Sequence, residues 1–218
     1  GPNVIAITIL TLVTFADAWY VGQLGTAALA SLALVFPFQT LMQMMSGGAI
    51  GGGVTSSVAR ALGSDDESKA ASVLWHAIII AVAMSMVFAV ALGFFSRPVF
   101  ALLGGTGEAL NGAVAYARIT FGAGLAIWML YILSAALRGM GDTVTPARAI
   151  TVGSVVQVGL SGALTLGWGV FPDMGVVGPA MAMIVCQGGA AFYMAFHLAA
   201  GKARVPLRPH RLEWSIFK

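Results

Sequence analysis

The stretch Ala18–Ala59, AWYVGQLGTAALASLALVFPFQTLMQMMSGGAIGGGVTSSVA, contains no Asp, Glu, Lys or Arg. In water such a run would leave a long apolar surface with no charge to cover it. A bilayer solves the problem, because its hydrocarbon core is about 30 Å thick and a helix crosses it in about 20 apolar residues. By length the stretch holds two spans. Its one turn signal, Gly22-Gln23-Leu24-Gly25, lies near one end. The reading is therefore a turn over Gly22–Thr26 followed by a single long helix.

The same reading extends outward to six helices. The first covers Pro2–Tyr20, and the second is the long helix just described. The third covers Ser68–Phe94, the fourth Glu108–Leu137, the fifth Pro146–Trp168 and the sixth Val176–Ala200. The boundaries carry capping chemistry. Ser64-Asp65-Asp66-Glu67 has the spacing of a capping box for the third helix. Gly139 suits the stop of the fourth, and Thr145 then Pro146 suit an N-cap and first position of the fifth. Pro172, Asp173 and Gly175 part the last two.

Composition agrees. The 218 residues are 59% hydrophobic and 9% charged, against about 25% charged in soluble domains. That excludes an ordinary soluble globule, and the hydrophobicity excludes disorder. The 28 glycines follow no three-residue period, which excludes a collagen-like chain. Cys186 is the single cysteine, so neither an internal disulfide nor a cysteine metal site is available. The fold class is all-α: a polytopic membrane protein with a six-helix transmembrane lobe over residues 1–200 and a basic segment over 201–218.

Charge then sets direction. The net charge is +3, but the basic residues cap apolar segments rather than forming a patch, so membrane orientation explains them and nucleic acid does not. Six spans return both ends to one side. That side receives Arg60, Lys69, Arg138, Arg148, Lys202, Arg204, Arg208, Arg211 and Lys218. The other receives Arg97, and Arg118 if it snorkels outward. The positive-inside rule puts both ends in the cytoplasm, with the lobe in the cell membrane and the lipid bilayer as its solvent.

Few polar groups lie within the spans. Asp17 is the one acid there. An intramembrane acid points to function, unless Asp17 reaches water from the end of the first helix. Pro37 removes a helix hydrogen bond and favours a kink. Gly47/Gly51 and Gly48/Gly52 have the spacing that lets helices approach closely, and they also make the segment deformable. Pro37, Gln39, Gln43 and Tyr131 are the candidates for a substrate cavity and its movement. Tyr116 and Arg118 line a cavity, or Arg118 simply snorkels. His76 and His197 have no partner at metal-ligand spacing. No nucleophile elbow, P-loop or HExxH pattern occurs, so the chain does not read as an enzyme.

Several strings carry a resemblance. Asp17-Ala18-Trp19-Tyr20-Val21-Gly22-Gln23-Leu24-Gly25 resembles the D-x-x-x-V-G-x-L-G signature that closes the first helix of multidrug and toxic compound extrusion (MATE) transporters. The Gly-rich second helix, ending Val58-Ala59-Arg60-Ala61-Leu62-Gly63, is similar to that family's second helix. Tyr116-x-Arg118, then Leu137-Arg138-Gly139-Met140-Gly141-Asp142-Thr143-Val144-Thr145-Pro146, resembles its fourth helix and following loop. Gly175-x-x-Gly178-x-Ala180-x-Ala182 is similar to the start of its sixth helix.

The resemblance implies a fold of two six-helix lobes, of which this chain supplies the first. It implies that the true start is missing and that Gly201–Lys218 is a linker. The chain is then a fragment, or a half-size protein that needs a second six-helix lobe, in the same chain or by dimerisation. The implied activity is antiport of cationic or amphiphilic small molecules against H⁺ or Na⁺, with no bound cofactor. Asp17 matches the family's cation-coupling acid. Gln157 and Ser161 stand where the family often has Asn and Asp on the fifth helix, and Met183 stands where a Thr is common. A sodium site would lose a charge and an oxygen, so the implied coupling is by proton, with Asp17 a metal ligand only if sodium is the ion. Two alternatives stay open. One is a flippase for lipid-linked saccharides from the same superfamily, for which Arg118 would be needed in the cavity. The other is a membrane scaffold subunit without transport.

Overall fold

The uncharged run forms one continuous helix, because its only break sits at the end. The computed structural model describes residues 2–201. Helix α1 covers Pro2–Gly22. The chain turns through Gly25, whose φ of 110° suits glycine. Helix α2 then runs over Thr26–Gly63, 38 residues, with Pro37 inside it. Its middle, Met44–Ile50, winds as a π-helix. Helix α3 covers Glu67–Phe94 and also ends in a π segment, Ala89–Phe94. A short α4, Ser96–Leu102, follows. Next come α5, Gly107–Gly122, and α6, Leu125–Gly139. Helix α7 is Val144–Leu166. A 3₁₀ turn at Gly175–Val177 leads into α8, Gly178–Ala199.

Four of these segments are long and apolar enough to cross a bilayer: α2, α3, α7, and α8 with its preceding turn. The pair α5 and α6, bent by 45°, makes a fifth crossing. Helix α1 has 21 residues, about 32 Å at helical rise, and is the sixth. The six-span bundle holds, but the fourth span is not the straight helix expected from its sequence. It breaks at Gly122-Ala123-Gly124, where two glycines weaken the helix. Helix α4 was not expected either.

Capping differs in the same local way. The expected capping box does not form. Ser64 Oγ donates back to the carbonyls of Arg60 and Ala61, at 3.2 and 2.9 Å, and so closes α2. Asp65 turns the chain with φ 56°, and Asp66 caps α3 by accepting from the Lys69 amide at 2.8 Å. At α7 the cap is Asp142, not Thr145. Its Oδ1 accepts from the amides of Val144 and Thr145 at 3.1 and 2.9 Å, and Pro146 falls within the first turn. Gly141, with φ 88°, ends α6 in place of Gly139. Gly139 has a packing role instead: a Cβ there would lie 2.7 Å from the Thr55 carbonyl oxygen on α2.

The core sits among α3, α4, α5, α6 and α8. Trp128, Phe121, Phe100, Leu137 and Met194 are fully buried there, and the Phe88 ring lies 6.1 Å from Trp128 and 6.2 Å from Phe121. Helix α2 joins through two glycines. Tyr131 fills the place of a Gly47 side chain, and Gly51 lies beside Ala135. Gly48 and Gly52 meet nothing within 4 Å, so only one of the two glycine pairs packs within this lobe. None of the described α1 residues belongs to the core cluster; α1 lies along α7. The reading of residues 202–218 as a linker, with Lys202, Arg204, Arg208, Arg211 and Lys218, lies outside the described residues.

Candidate functional site

The seam between α1 and α7 is built by side chains one helical turn apart. Tyr20 on α1 packs onto Gly162 of α7, where a Cβ would lie 2.7 Å from the Tyr20 ring. Trp168 meets the same ring edge-on at 5.7 Å. This contact fixes the register of the two helices. Asp17, three residues before Tyr20, then faces Ser161, the neighbour of Gly162. Ser161 Oγ donates to Asp17 Oδ1 at 2.5 Å. Gln157 precedes Ser161 by four residues, shares its helix face, and lines the same cavity as Asp17. Ser161 is fully buried and Gln157 nearly so.

Asp17 therefore does not simply reach water from the helix end. It lines two cavities. The smaller, about 150 Å³, is lined by Asp17, Gln39, Gln43, Tyr131, Gln157 and Met183, among others. The larger, about 420 Å³, is lined by residues of α1, α2 and α5, including Asp17, Phe36, Pro37, Gln39 and Tyr116. Thr14, Asp17 and Gln39 line both. Gln39 is held in place by donating from Nε2 to Met183 Sδ at 3.1 Å, and the Tyr116 hydroxyl points to its Oε1 at 3.5 Å.

Apart from Arg118, every residue singled out from the sequence for coupling or for the cavity lines one of these two spaces or bonds Asp17. Asp17, Gln39, Gln43, Tyr131 and Gln157 share the smaller cavity, Pro37 lines the larger, and Ser161 holds the carboxylate from behind. Tyr116 joins the larger cavity. Arg118 does not: it is exposed on α5 and lines neither space. Gln187, one of the few polar residues the sequence places within the spans, also lines the smaller cavity, and Thr14 and Ser154 are polar lining residues that sequence reasoning did not name. Thr14 had a signal, since it precedes Asp17 by three residues on the same face.

The electrostatics are simple. Among the described residues Asp17 is the only charged one lining either cavity, and no Lys or Arg does so. Among the described residues no group of three or more His, Cys, Asp or Glu side chains gathers to hold a metal. One carboxylate, surrounded by hydroxyls and amides, can exchange a proton, attract an organic cation, or offer a few neutral oxygens to a small cation.

Known proteins resemble this arrangement. The MatE family model matches residues 2–161. A FAD transporter of Shewanella oneidensis is 28% identical over 183 residues, which is 84% of this chain and 40% of that protein. An inward-facing structure of a multidrug resistance MATE family transporter of the MOP superfamily superposes with a TM-score of 0.86 at 26% identity, covering 95% of this chain and 47% of that one. An outward-facing structure of such a transporter gives the same TM-score, 0.86, at 26% identity, over 99% of this chain and 48% of that one. The chain thus spans less than half the length of these relatives.

Proposed function

The chain belongs to the MatE family, and from that premise we propose that it forms one lobe of a secondary antiporter. Cationic or amphiphilic small molecules leave the cell in exchange for H⁺ or Na⁺. The observation that carries this reading is the Asp17 carboxylate, hydrogen-bonded to Ser161 and lining two cavities, one of them shared with Gln157.

The coupling logic is competition for one negative charge. A proton on Asp17 neutralises it, and so does a cationic cargo beside it, but the site gains little from both at once. Exchange of one for the other links the two fluxes. The neighbours suit either charge state. When Asp17 is ionised, Ser161 donates to it. When it is protonated, the Ser161 oxygen and the Gln157 carbonyl offer acceptors for its O–H. The proton is favoured over sodium, because a hard cation needs several oxygen ligands and the site holds a single carboxylate. The larger cavity, walled by Phe36, Leu29 and Leu32, suits the apolar body of an amphiphile.

Alternating access then requires a second six-helix lobe, in the same chain or by dimerisation, that rocks against this one. Equal likeness to inward-facing and outward-facing relatives supports a lobe that keeps its internal packing through the cycle. The distribution of Lys and Arg supports a cell-membrane orientation with the basic helix ends in the cytoplasm. A second reading follows from the Shewanella relative, named a FAD transporter. A dinucleotide is anionic, and neither cavity is lined by Lys or Arg, so cationic cargo is the better match to this lobe. The same absence, with Arg118 outside, weighs against a pyrophosphate-binding flippase.

The test is ethidium efflux from proteoliposomes containing this chain joined to a second lobe, under a proton gradient and then a sodium gradient. Asp17→Asn should abolish gradient-driven efflux with insertion unchanged. Undiminished efflux by that variant would remove Asp17 from the coupling step.

A further inference from the structure

A groove of about 470 Å³ runs between α7 and α8 and shares no lining residue with the larger Asp17 cavity. Its walls follow helical spacing. Val152 and Val156 come from α7, and Val185 from α8; all three are exposed. Its floor is low because the residues there are small, among them Gly153 and Gly189. Polar chemistry is confined to one end, where Arg148 opens α7 and the antiparallel α8 brings Tyr193 beside it. Arg148 is exposed and has no carboxylate partner among the described residues.

We propose that this groove is a binding site for an anionic phospholipid, with the headgroup phosphate on Arg148 and an acyl chain along the valines. Three features favour that occupant. The groove lies on an apolar face of a membrane-crossing pair, so hydrocarbon is its natural solvent. From Arg148 to Val156 is eight residues, about 12 Å of helix, which is most of one leaflet's hydrocarbon depth of about 15 Å. A guanidinium pairs with a phosphate in fork geometry, and basic pockets between transmembrane helices bind anionic headgroups in this way. The groove also shares Gly153, Cys186 and Ala190 with the smaller Asp17 cavity. A seated acyl chain would lie one layer of small residues from that cavity.

The full chain, purified in detergent, is mixed with phosphatidylglycerol or with phosphatidylcholine of the same acyl chains, and retained lipid is counted by native mass spectrometry. Phosphatidylglycerol should be retained about five-fold better, the preference that one arginine near a phosphate supports. Arg148→Gln should bring it down to the phosphatidylcholine level, while Arg148→Lys keeps most of the preference. A Cβ at Gly189 meets nothing within 4 Å, so Gly189→Leu should fill the groove without disturbing the fold and lower retention of both lipids. Equal retention of the two lipids, or a preference that survives Arg148→Gln, would overturn the proposal. So would Gly189→Cys chains that cross-link to one another through the groove, since the occupant would then be protein.

Discussion

Two regions of the bundle are built on opposite plans. Around Trp128, on α3, α5, α6 and α8, large apolar side chains are wholly buried and aromatic rings stack at about 6 Å. Along α1 and α7 the contact is made by Asp17, Ser161 and glycine, with two cavities beside it. In lipid the hydrophobic effect does not press helices together, so close packing and interhelical hydrogen bonds do that work. The Trp128 region has abundant packing. The α1 seam has one ring-on-glycine contact and a few hydrogen bonds. The difference separates a densely packed body from a seam held by few contacts, and under the proposed coupling α1 is the helix that would shift with the charge on Asp17.

The sharpest way to break this comparison is at the core. Trp128→Ala removes a ring with no exposed surface and should cost about 3–5 kcal/mol, the range for large-to-small aromatic truncations. Thermal unfolding in detergent checks it. A loss no larger than that of a seam variant would mean that the apolar region is not the rigid part.

The next largest effect lies on α2. Gly47→Leu drives a side chain into the Tyr131 ring, 2.8 Å from where its Cβ would sit, and should cost about 1–3 kcal/mol as overpacking. Gly48→Leu meets nothing within 4 Å and should leave the unfolding temperature of the lobe nearly unchanged. Equal losses at both positions would show that Gly48 faces a neighbour this lobe does not supply.

That pair also shows how far the sequence could be read. The spacing of glycines announced close helix contacts but not which pair makes them, because the choice depends on how α2 rotates against α6. The π segment at Met44–Ile50 shifts that rotation, and no residue pattern marks it. The same holds for the caps. Ser64 and Thr145 have suitable side chains, yet Asp66 and Asp142 take the role, since one residue of turn geometry decides the donor in reach. The six crossings were legible because hydropathy over 20 residues is robust to such detail. The Asp17 site was legible through the family resemblance and through i, i+4 spacing on α7. For Arg118 the sequence left a cavity and an outward reading open, and its exposure on α5, away from both cavities, agrees with the outward one.

At the seam itself, Ser161→Ala removes the donor to Asp17 and should cost about 1.5 kcal/mol, the low end of the range for a hydrogen bond to a charged group. The comparison predicts a split. Core unfolding changes little, while limited proteolysis at the turn after α1 speeds up. Unchanged proteolysis would mean that Tyr20 on Gly162 holds α1 without help from the carboxylate.

The smallest expected effect contrasts Asp17 with an acid outside the membrane. Asp142 sits in the loop between α6 and α7. Burial alone would raise its carboxyl. Hydrogen bonds from Thr145 and Val144, with His197 3.6 Å away, outweigh that and hold it below the usual carboxylate value of 3.8. A depressed folded pKa means that the ionised form stabilises the fold. The contribution is complete above the unfolded value, near pH 4, and is lost as the pH falls through the lower, folded one. Asp142→Ala should cost about 1 kcal/mol at pH 7, as the loss of a helix cap does. Its deficit against the unaltered chain should begin to shrink below about pH 4 and reach its minimum below the folded pKa, where the acid is neutral in both states of the unaltered chain. Asn also caps helices, so Asp142→Asn should recover most of the loss at pH 7 and show little of this pH dependence. If Asp142→Asn is instead as weak as Asp142→Ala, the charge facing the α7 dipole and His197 matters more than the two amide hydrogen bonds.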